Sequence, residues 1–345
     1  MNSASSDLSV SIIIPTYNRA HLIGRAVQSV LAQVRDGDAV IVVDDGSKDA
    51  TEETLTPLLD RIVYIRKENA GASAARNRGV KEAKTHLVAF LDSDDEWMPG
   101  KLELQRRLMA ARPDVLYCFS DFCGVEANGE VVHSYLKNWL GEGVDPAAWK
   151  KVLGGGTPYS TITPLPDGWQ DFQVHFVDLF ASMLKACCIN TVNFMVRREE
   201  AGEALHFDED LRFAEDWLCY TRVSKKGTGA FLNTETAWQY GHSGPRLTDV
   251  GKLVKAECCI TVLELLMQAD PEYFRQHREG DDLLAERYCS KAAALIRLGR
   301  TQEARAALKR VPNAPLSHKL MAALPGALAQ ALLKLRSSTK LAFLD

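Results

Sequence analysis

No apolar run in this 345-residue chain is long enough to cross a bilayer as a helix. The opening residues, Met1-Asn2-Ser3-Ala4-Ser5-Ser6-Asp7, carry neither the basic stretch nor the apolar core of a secretory signal. Neither sign of charge dominates: the net charge of −4 gives no global attraction to nucleic acid, so no nucleic-acid partner is expected. The eight cysteines are scattered, with two adjacent pairs (Cys187-Cys188 and Cys258-Cys259) and no Cys-x-x-Cys spacing. Neither a zinc site nor a disulfide framework is legible, and reduced, mostly buried thiols in a cytoplasmic protein are the expectation.

What is present is the composition of a soluble globular protein, 46% hydrophobic and 25% charged, with length for one large domain and an appendage. The most informative stretch is Asp92-Ser93-Asp94-Asp95, directly after the apolar run Leu87-Val88-Ala89-Phe90-Leu91. That run reads as a buried strand. Three carboxylates at its end repel one another, and a proton or a cation must relieve them. Hard oxygen donors there suit Mg²⁺ or Mn²⁺ shared with a substrate phosphate. The other reading is a solvated acidic turn that caps the next helix.

Similar units precede it. Val10 to Ile14 reads as a strand, followed by Pro15-Thr16-Tyr17-Asn18-Arg19 and a helical pattern from His21 to about Gln33. Ala39 to Val43 is a second strand ending in Asp44-Asp45-Gly46-Ser47, and Ile62 to Ile65 a third, before Gly71-Ala72-Ser73 and a helix-like run to Val80. Repeated strand, polar loop and helix predict a parallel, doubly wound sheet. Ligands bind such sheets beyond the carboxyl ends of the strands, where these polar clusters fall.

Four segments in this order carry a resemblance: Ile13-Ile14-Pro15-Thr16-Tyr17-Asn18, Val43-Asp44-Asp45-Gly46-Ser47, Gly71-Ala72-Ser73-Ala74-Ala75-Arg76-Asn77 and Leu91-Asp92-Ser93-Asp94-Asp95. They resemble the ordered motifs of inverting glycosyltransferases of family 2, densely over residues 9–120 and more thinly over 185–250. The resemblance implies the GT-A fold: a Rossmann-like α/β domain with a mixed, mostly parallel sheet flanked by helices. It implies a nucleotide-sugar donor and a divalent cation, Mn²⁺ or Mg²⁺, with Asp94 the direct metal ligand. Asp92 then contacts the donor ribose or the metal's water, with Ser93 between them. Asp44 is implied as the nucleobase contact and Tyr17 as a stacking partner, with Pro15 and Thr16 shaping the loop. Arg76 is implied as a base or phosphate contact; an exposed helix-surface arginine is the alternative. Asp95 is read as a helix cap, with a helper to the neighbouring aspartates as the alternative, and Asp45, Ser47 and Asp49 as turn and cap residues.

The resemblance also implies that Asp216, in Glu215-Asp216, is the general base; otherwise the pair only favours the positive end of a helix. His242 and Arg246 fall in a segment similar to a family loop that approaches the diphosphate. The family's usual arginine two residues before that histidine is replaced by Tyr240, which leaves Arg246 as the substitute.

The rest of the chain is expected to be strand-like over Val115 to Phe119 and Thr191 to Val196, helical over Arg197 to Ala204, and helical from about Phe213 to Ser224. Two short strands follow, Ala230 to Leu232 and Thr236 to Tyr240. Residues 133–185 read as an irregular loop, either functional or a surface insertion. The expected division is residues 1–250 as the catalytic domain, with a nucleotide half at 9–120 and an acceptor half at 185–250, and 251–345 as a helical appendage. Within the appendage, segments from Arg287 to Leu308 resemble a tetratricopeptide-type helical hairpin, whose single unit must pack on the catalytic domain or a partner. Leu316 to Leu335 mixes apolar and basic residues at helical spacing. It reads either as a packed helix with a solvated basic face or as a peripheral contact with an anionic membrane.

The expected function is transfer of a sugar, UDP-linked by the resemblance, to a glycan or lipid-linked acceptor. A nucleotidyltransferase is the alternative enzyme, disfavoured because Pro15-Thr16-Tyr17-Asn18 replaces its glycine-rich, basic loop. A non-catalytic nucleotide-sugar-binding protein is the alternative outside catalysis.

Overall fold

The computed structural model describes residues 8–126, 128–136, 146–241, 249–277 and 279–339. They form two compact units: Met1–Glu209 with Asp216–Gly244, and Asp210–Glu215 with Pro245–Asp345.

The first unit begins with β1 (Val10–Thr16), α1 (Ala20–Leu31), β2 (Ala39–Asp44), α2 (Thr51–Leu55), β3 (Val63–Arg66), α3 (Ala72–Glu82) and β4 (Leu87–Phe90). β5 (Glu96–Trp97), α4 (Lys101–Ala111), β6 (Tyr117–Val125) and β7 (Val131–Val132) follow. The remainder is α5 (Pro146–Leu153), β8 (Thr157–Pro158), α6 (Tyr159–Ile162), β9 (Gln173–Val177), α7 (Phe180–Lys185), β10 (Met195–Arg197), α8 (Arg198–Ala201), α9 (Glu215–Lys226) and β11 (Gly229–Tyr240). One sheet runs in the order β3-β2-β1-β4-β10-β6-β11-β9-β8, with β5 attached to β11 and β7 to β6.

The four strands nearest the β3 edge are parallel, and their register sets the site. Thr16 pairs with Asp44, and Asp44 with Arg66, so the carboxyl ends of β1, β2 and β3 are level. β1 and β4 are buried along their whole length, as continuous branched and aromatic runs in a two-sided parallel sheet must be. Gly79 lets α3 lie against this sheet, because a Cβ there would stand 2.4 Å from Cγ2 of Ile13. β10 is antiparallel to both β4 and β6, and the farther half of the sheet is mixed.

Several sequence expectations change. Thr191 to Val196 is not one strand: Oδ1 of Asn190 accepts from the Val192 N–H at 3.1 Å and closes a 3-10 turn over Thr191–Asn193. Only Met195–Arg197 enters the sheet. The two strands expected at 230–240 are one strand, β11, whose register against β6 shifts between Leu232 and Glu235 and again before Trp238. Such a bulge interrupts the alternation that marks a strand in sequence. Residues 157–185 are not an irregular loop, since β9 pairs with β11 and β8 with β9. Residues 137–145 of that expected loop lie outside the described residues.

In the core, the Lys101 ammonium is buried 3.5 Å from the centroid of the Trp97 ring. The Trp97 indole N–H donates to the Val192 carbonyl at 2.7 Å.

The second unit contains α10 (Lys252–Ala269), α11 (Pro271–Gln276), α12 (Glu279–Arg297), α13 (Thr301–Leu308), α14 (Leu316–Ala323) and α15 (Gly326–Thr339). Asp270 caps α11 by accepting from the Tyr273 N–H at 3.1 Å, with Pro271 in the first turn. The hairpin seen in the sequence is α12–α13. Its turn places Gly299 at φ +75°, a conformation that favours glycine. Its apolar face is covered within the same unit, where Leu295, Ile296 and Leu308 share a core with Ala322 of α14 and Ala329 of α15. Leu316 to Leu335 is two helices, because Pro325 cannot continue α14. No helix of the described residues is long and apolar enough to cross a membrane.

Candidate functional site

Loops at the carboxyl ends of the parallel strands interlock. Asn18, at φ +52°, donates its N–H to Ser47 Oγ at 2.9 Å, and its Oδ1 accepts from the Lys48 N–H at 2.8 Å. Gly46, at φ +80°, lies where a Cβ would stand 3.1 Å from the Lys67 carbonyl oxygen and the Asn69 nitrogen, so the loop after β2 packs directly on the backbone after β3. Asp45 holds the loop after β3 by accepting from the N–H groups of Ala70 (3.0 Å) and Gly71 (2.7 Å) and from the Lys67 ammonium (2.6 Å). Asp49 accepts from the N–H groups of Thr51 (3.1 Å) and Ala20 (3.0 Å).

Asp44 is buried. Its Oδ2 accepts from the Tyr64 hydroxyl at 2.6 Å and its Oδ1 from the Ser47 N–H at 2.7 Å. Burial and the Asp44 charge push the Tyr64 phenol above its ordinary range, so it stays a donor. Pro15 and Thr16 are buried as the last residues of β1, while Tyr17 projects exposed.

The acidic cluster divides into unlike parts. Asp92 and Asp94 are partly exposed, at 28% and 23% of their side chains. Ser93 between them is buried. Arg76 is not on an exposed helix face. It is 4% exposed and donates to Asp92 Oδ1 at 2.9 Å. A buried guanidinium without a carboxylate would be strongly unfavourable, so this pair fixes both partners. Arg19 approaches Asp94 Oδ2 at 3.9 Å, and Arg25 donates to the Asp94 carbonyl at 2.7 Å.

Asp95 is not a helix cap. The chain continues as β5, which pairs with Ala237 and Trp238 of β11, and Asp95 Oδ1 accepts from the Tyr240 N–H at 3.1 Å. Burial first, then the Asp94 and Asp92 charges, raises its carboxyl well above the ordinary range. Tyr240 takes part in this frame: its hydroxyl donates to Glu96 at 3.0 Å and its ring lies 3.7 Å from the Arg25 guanidinium. The two partly exposed carboxylates offer the oxygen donors that a hard divalent cation takes. The buried third does not.

Asp216 lies half-buried in the first turn of α9, where its Oδ1 accepts from the Trp217 N–H at 2.7 Å. Burial pushes the Cys219 thiol and the Tyr220 phenol up, with Asp216 adding to the rise and Arg76 opposing it. Asn77, next to Arg76, holds the preceding segment by donating to the Phe207 carbonyl (2.7 Å) and accepting from its N–H (2.9 Å). Arg19, Arg25 and Glu96 were not singled out by sequence reasoning. Only their position next to the motifs pointed to them. His242 and Arg246 lie outside the described residues.

Beyond β5 and beside the bulge of β11 lies a cleft of about 680 Å³, lined by Met98, Asp121, Ser134, Trp169, Asn233 and Glu235 among others.

Residues 11–164 match the family model of Glycosyl transferase family 2, which upholds the resemblance read from the four motifs. A Bacillus subtilis glycosyltransferase named for teichuronic acid biosynthesis, TuaG, is 29% identical over 67% of this chain and 78% of its own. The Escherichia coli UDP-Glc:alpha-D-GlcNAc-diphosphoundecaprenol beta-1,3-glucosyltransferase WfgD is 43% identical over 30% of this chain and 42% of its own. The chain spans 23% and 39% of the length of two curated Rickettsia relatives, from Rickettsia felis and Rickettsia prowazekii. Among solved structures, residues 1–349 of Staphylococcus aureus TarS, in complex with UDP, superpose with a TM-score of 0.61 over 97% of this chain and 93% of that one, at 18% identity. The fold is GT-A-like, with a helical C-terminal region.

Proposed function

We propose that this protein is an inverting glycosyltransferase that moves a sugar from a UDP-linked donor to a glycan or lipid-linked acceptor. The observation that carries the reading is the placement of partly exposed Asp92, paired with buried Arg76, and of partly exposed Asp94 at the end of β4, level with the loops that follow β1, β2 and β3. The family match over residues 11–164 and the UDP-glucose donor in the name of WfgD support the reaction class and the donor.

In this reading the nucleotide lies across the interlocked loops. Asp44 is buried beneath these loops, which must part before its remaining lone pairs meet a base N–H or ribose hydroxyl, and exposed Tyr17 offers a stacking face. Asp94, assisted by Asp92, would hold a Mg²⁺ or Mn²⁺ ion, which would supply positive charge for the leaving diphosphate. Arg76 fixes Asp92 and contributes positive charge. Asp216 takes the proton from the acceptor hydroxyl, whose oxygen attacks the anomeric carbon while the bond to the diphosphate breaks with its electron pair. His242 and Arg246 are assigned to the diphosphate by the resemblance alone. The acceptor enters through the cleft beside Trp169, where aromatic and carboxylate side chains suit a sugar's apolar faces and hydroxyls.

A thermal-shift titration with UDP-glucose and UDP-N-acetylglucosamine tests this. Ligands that bind only the folded chain raise its melting temperature. Mn²⁺ should increase the shift, and Asp94→Asn should remove most of that increase. Equal shifts with Mn²⁺ and with a chelator would refute the metal's role.

A further inference from the structure

Three side chains that take no part in the proposed bond-making step converge at the edge of the cleft, one of them, Glu235, also lining it. Cys123 lies on β6, His133 directly follows β7, and Glu235 stands in the bulge of β11. Cys123 Sγ is 2.9 Å from Glu235 Oε2 and 3.5 Å from His133 Nδ1, and that nitrogen is 3.0 Å from the same Oε2. The other carboxylate oxygen, Oε1, accepts from the Ser134 N–H at 2.6 Å. Ser134 adopts φ +51°, a conformation that a serine rarely takes, and this turns its N–H toward the carboxylate. Glu235 is therefore anchored through Oε1, which also lies 3.2 Å from His133 Nδ1, and presents Oε2 to both the thiol and the imidazole.

Ligand atoms in a tetrahedral zinc site stand about 3.4–3.6 Å apart, from bond lengths near 2.3 Å to sulfur and about 2.0–2.2 Å to nitrogen or oxygen. The three atoms here need to move only by tenths of an ångström to meet that spacing. Charge also balances: a thiolate and a carboxylate neutralise a dication, with the imidazole neutral. The thiol sulfur separates this set from Asp92 and Asp94, because soft ligands select zinc-like ions over Mg²⁺.

We propose that Cys123, His133 and Glu235 form a binding site for a divalent cation of the zinc class, distinct from the hard-cation site of the proposed transfer reaction. Glu235 and Ser134 also line the cleft, so a fourth coordination position is available to water or to a ligand entering there. On binding, the sulfur–metal bond forms as the thiol proton leaves to solvent. Until then burial and the Glu235 carboxylate keep the thiol protonated.

The test is titration of the chelator-stripped full chain with Co²⁺, followed by thiolate-to-cobalt charge-transfer absorption and checked by competition with Zn²⁺. One equivalent should develop the band and Zn²⁺ should displace it. Cys123→Ser should abolish it. His133→Ala, at a largely exposed side chain, should fold normally and weaken binding by about 100-fold or more, beyond the usual loss for an outer partner. Cys289→Ser in the helical unit should change nothing. Absence of the band, or a band that persists in both the Cys123 and His133 variants, would overturn the site.

Discussion

Asp216 and Asp94 do different work in the proposed reaction, so their variants should separate. Asp216→Asn keeps the hydrogen bond to the Trp217 N–H and the helix terminus but cannot take a proton. Donor binding should stay near normal while turnover falls by about 10²-fold or more. Steady-state kinetics with saturating acceptor would show it, and near-normal turnover would move the base elsewhere. Lys101 allows a prediction of stability. Burial lowers its ammonium from an ordinary 10.5 to about 7. Between those values the unfolded chain binds a proton that the folded chain does not, so this group's contribution to stability rises with pH across that window. Lys101→Met should therefore raise the melting temperature at neutral pH, by about 2–4 °C per kcal/mol gained. The gain should shrink toward pH 10, and a loss at pH 7 would mean that the contact with Trp97 outweighs burial. At this scale sequence located the carboxylates but could not rank them. Asp94 and Asp95 are neighbours of one type, yet only the pairing of β5 with β11 buries the second. Cys123, His133 and Glu235 were illegible for a related reason: a bulge, not a spacing, brings residue 235 to residue 123.

Among the elements, continuous apolar runs gave away β1, β2 and β4, because strands buried on both faces have no alternation to lose. The misread elements are those shaped by polar contacts. Asn190 curls Thr191–Asn193 out of the sheet, and the bulge hides the continuity of β11. Pro325 interrupts a pattern that otherwise keeps helical spacing. The helices on either side of it expose apolar residues four apart, Leu316 and Leu320 on α14 and Leu328 and Leu332 on α15. Lys319 is exposed on the same helix as the first pair. We propose this surface as a contact with anionic lipid, near a lipid-linked acceptor. The full chain should sediment with phosphatidylglycerol vesicles at low salt and be released as salt rises. Leu316→Asp with Leu320→Asp should prevent sedimentation. Failure of the unaltered chain to sediment would leave α14 and α15 a packing role.

In the whole molecule, the division expected at residue 250 differs in two ways from the compact units. The first unit ends at Gly244, and Asp210–Glu215 pack with the helical unit. Composition could not reveal a six-residue segment that leaves one unit and returns to it. β10 has a wider consequence. It runs against both neighbours, and this single reversal separates the four parallel strands from β6, β11 and β9. The register shifts of β11 therefore fall on the far side of that reversal from the level ends of β1, β2 and β3. In the proposed reading the donor loops and the acceptor cleft stand on opposite sides of one reversed strand, so substitutions in the cleft lining should alter acceptor preference and leave donor affinity unchanged.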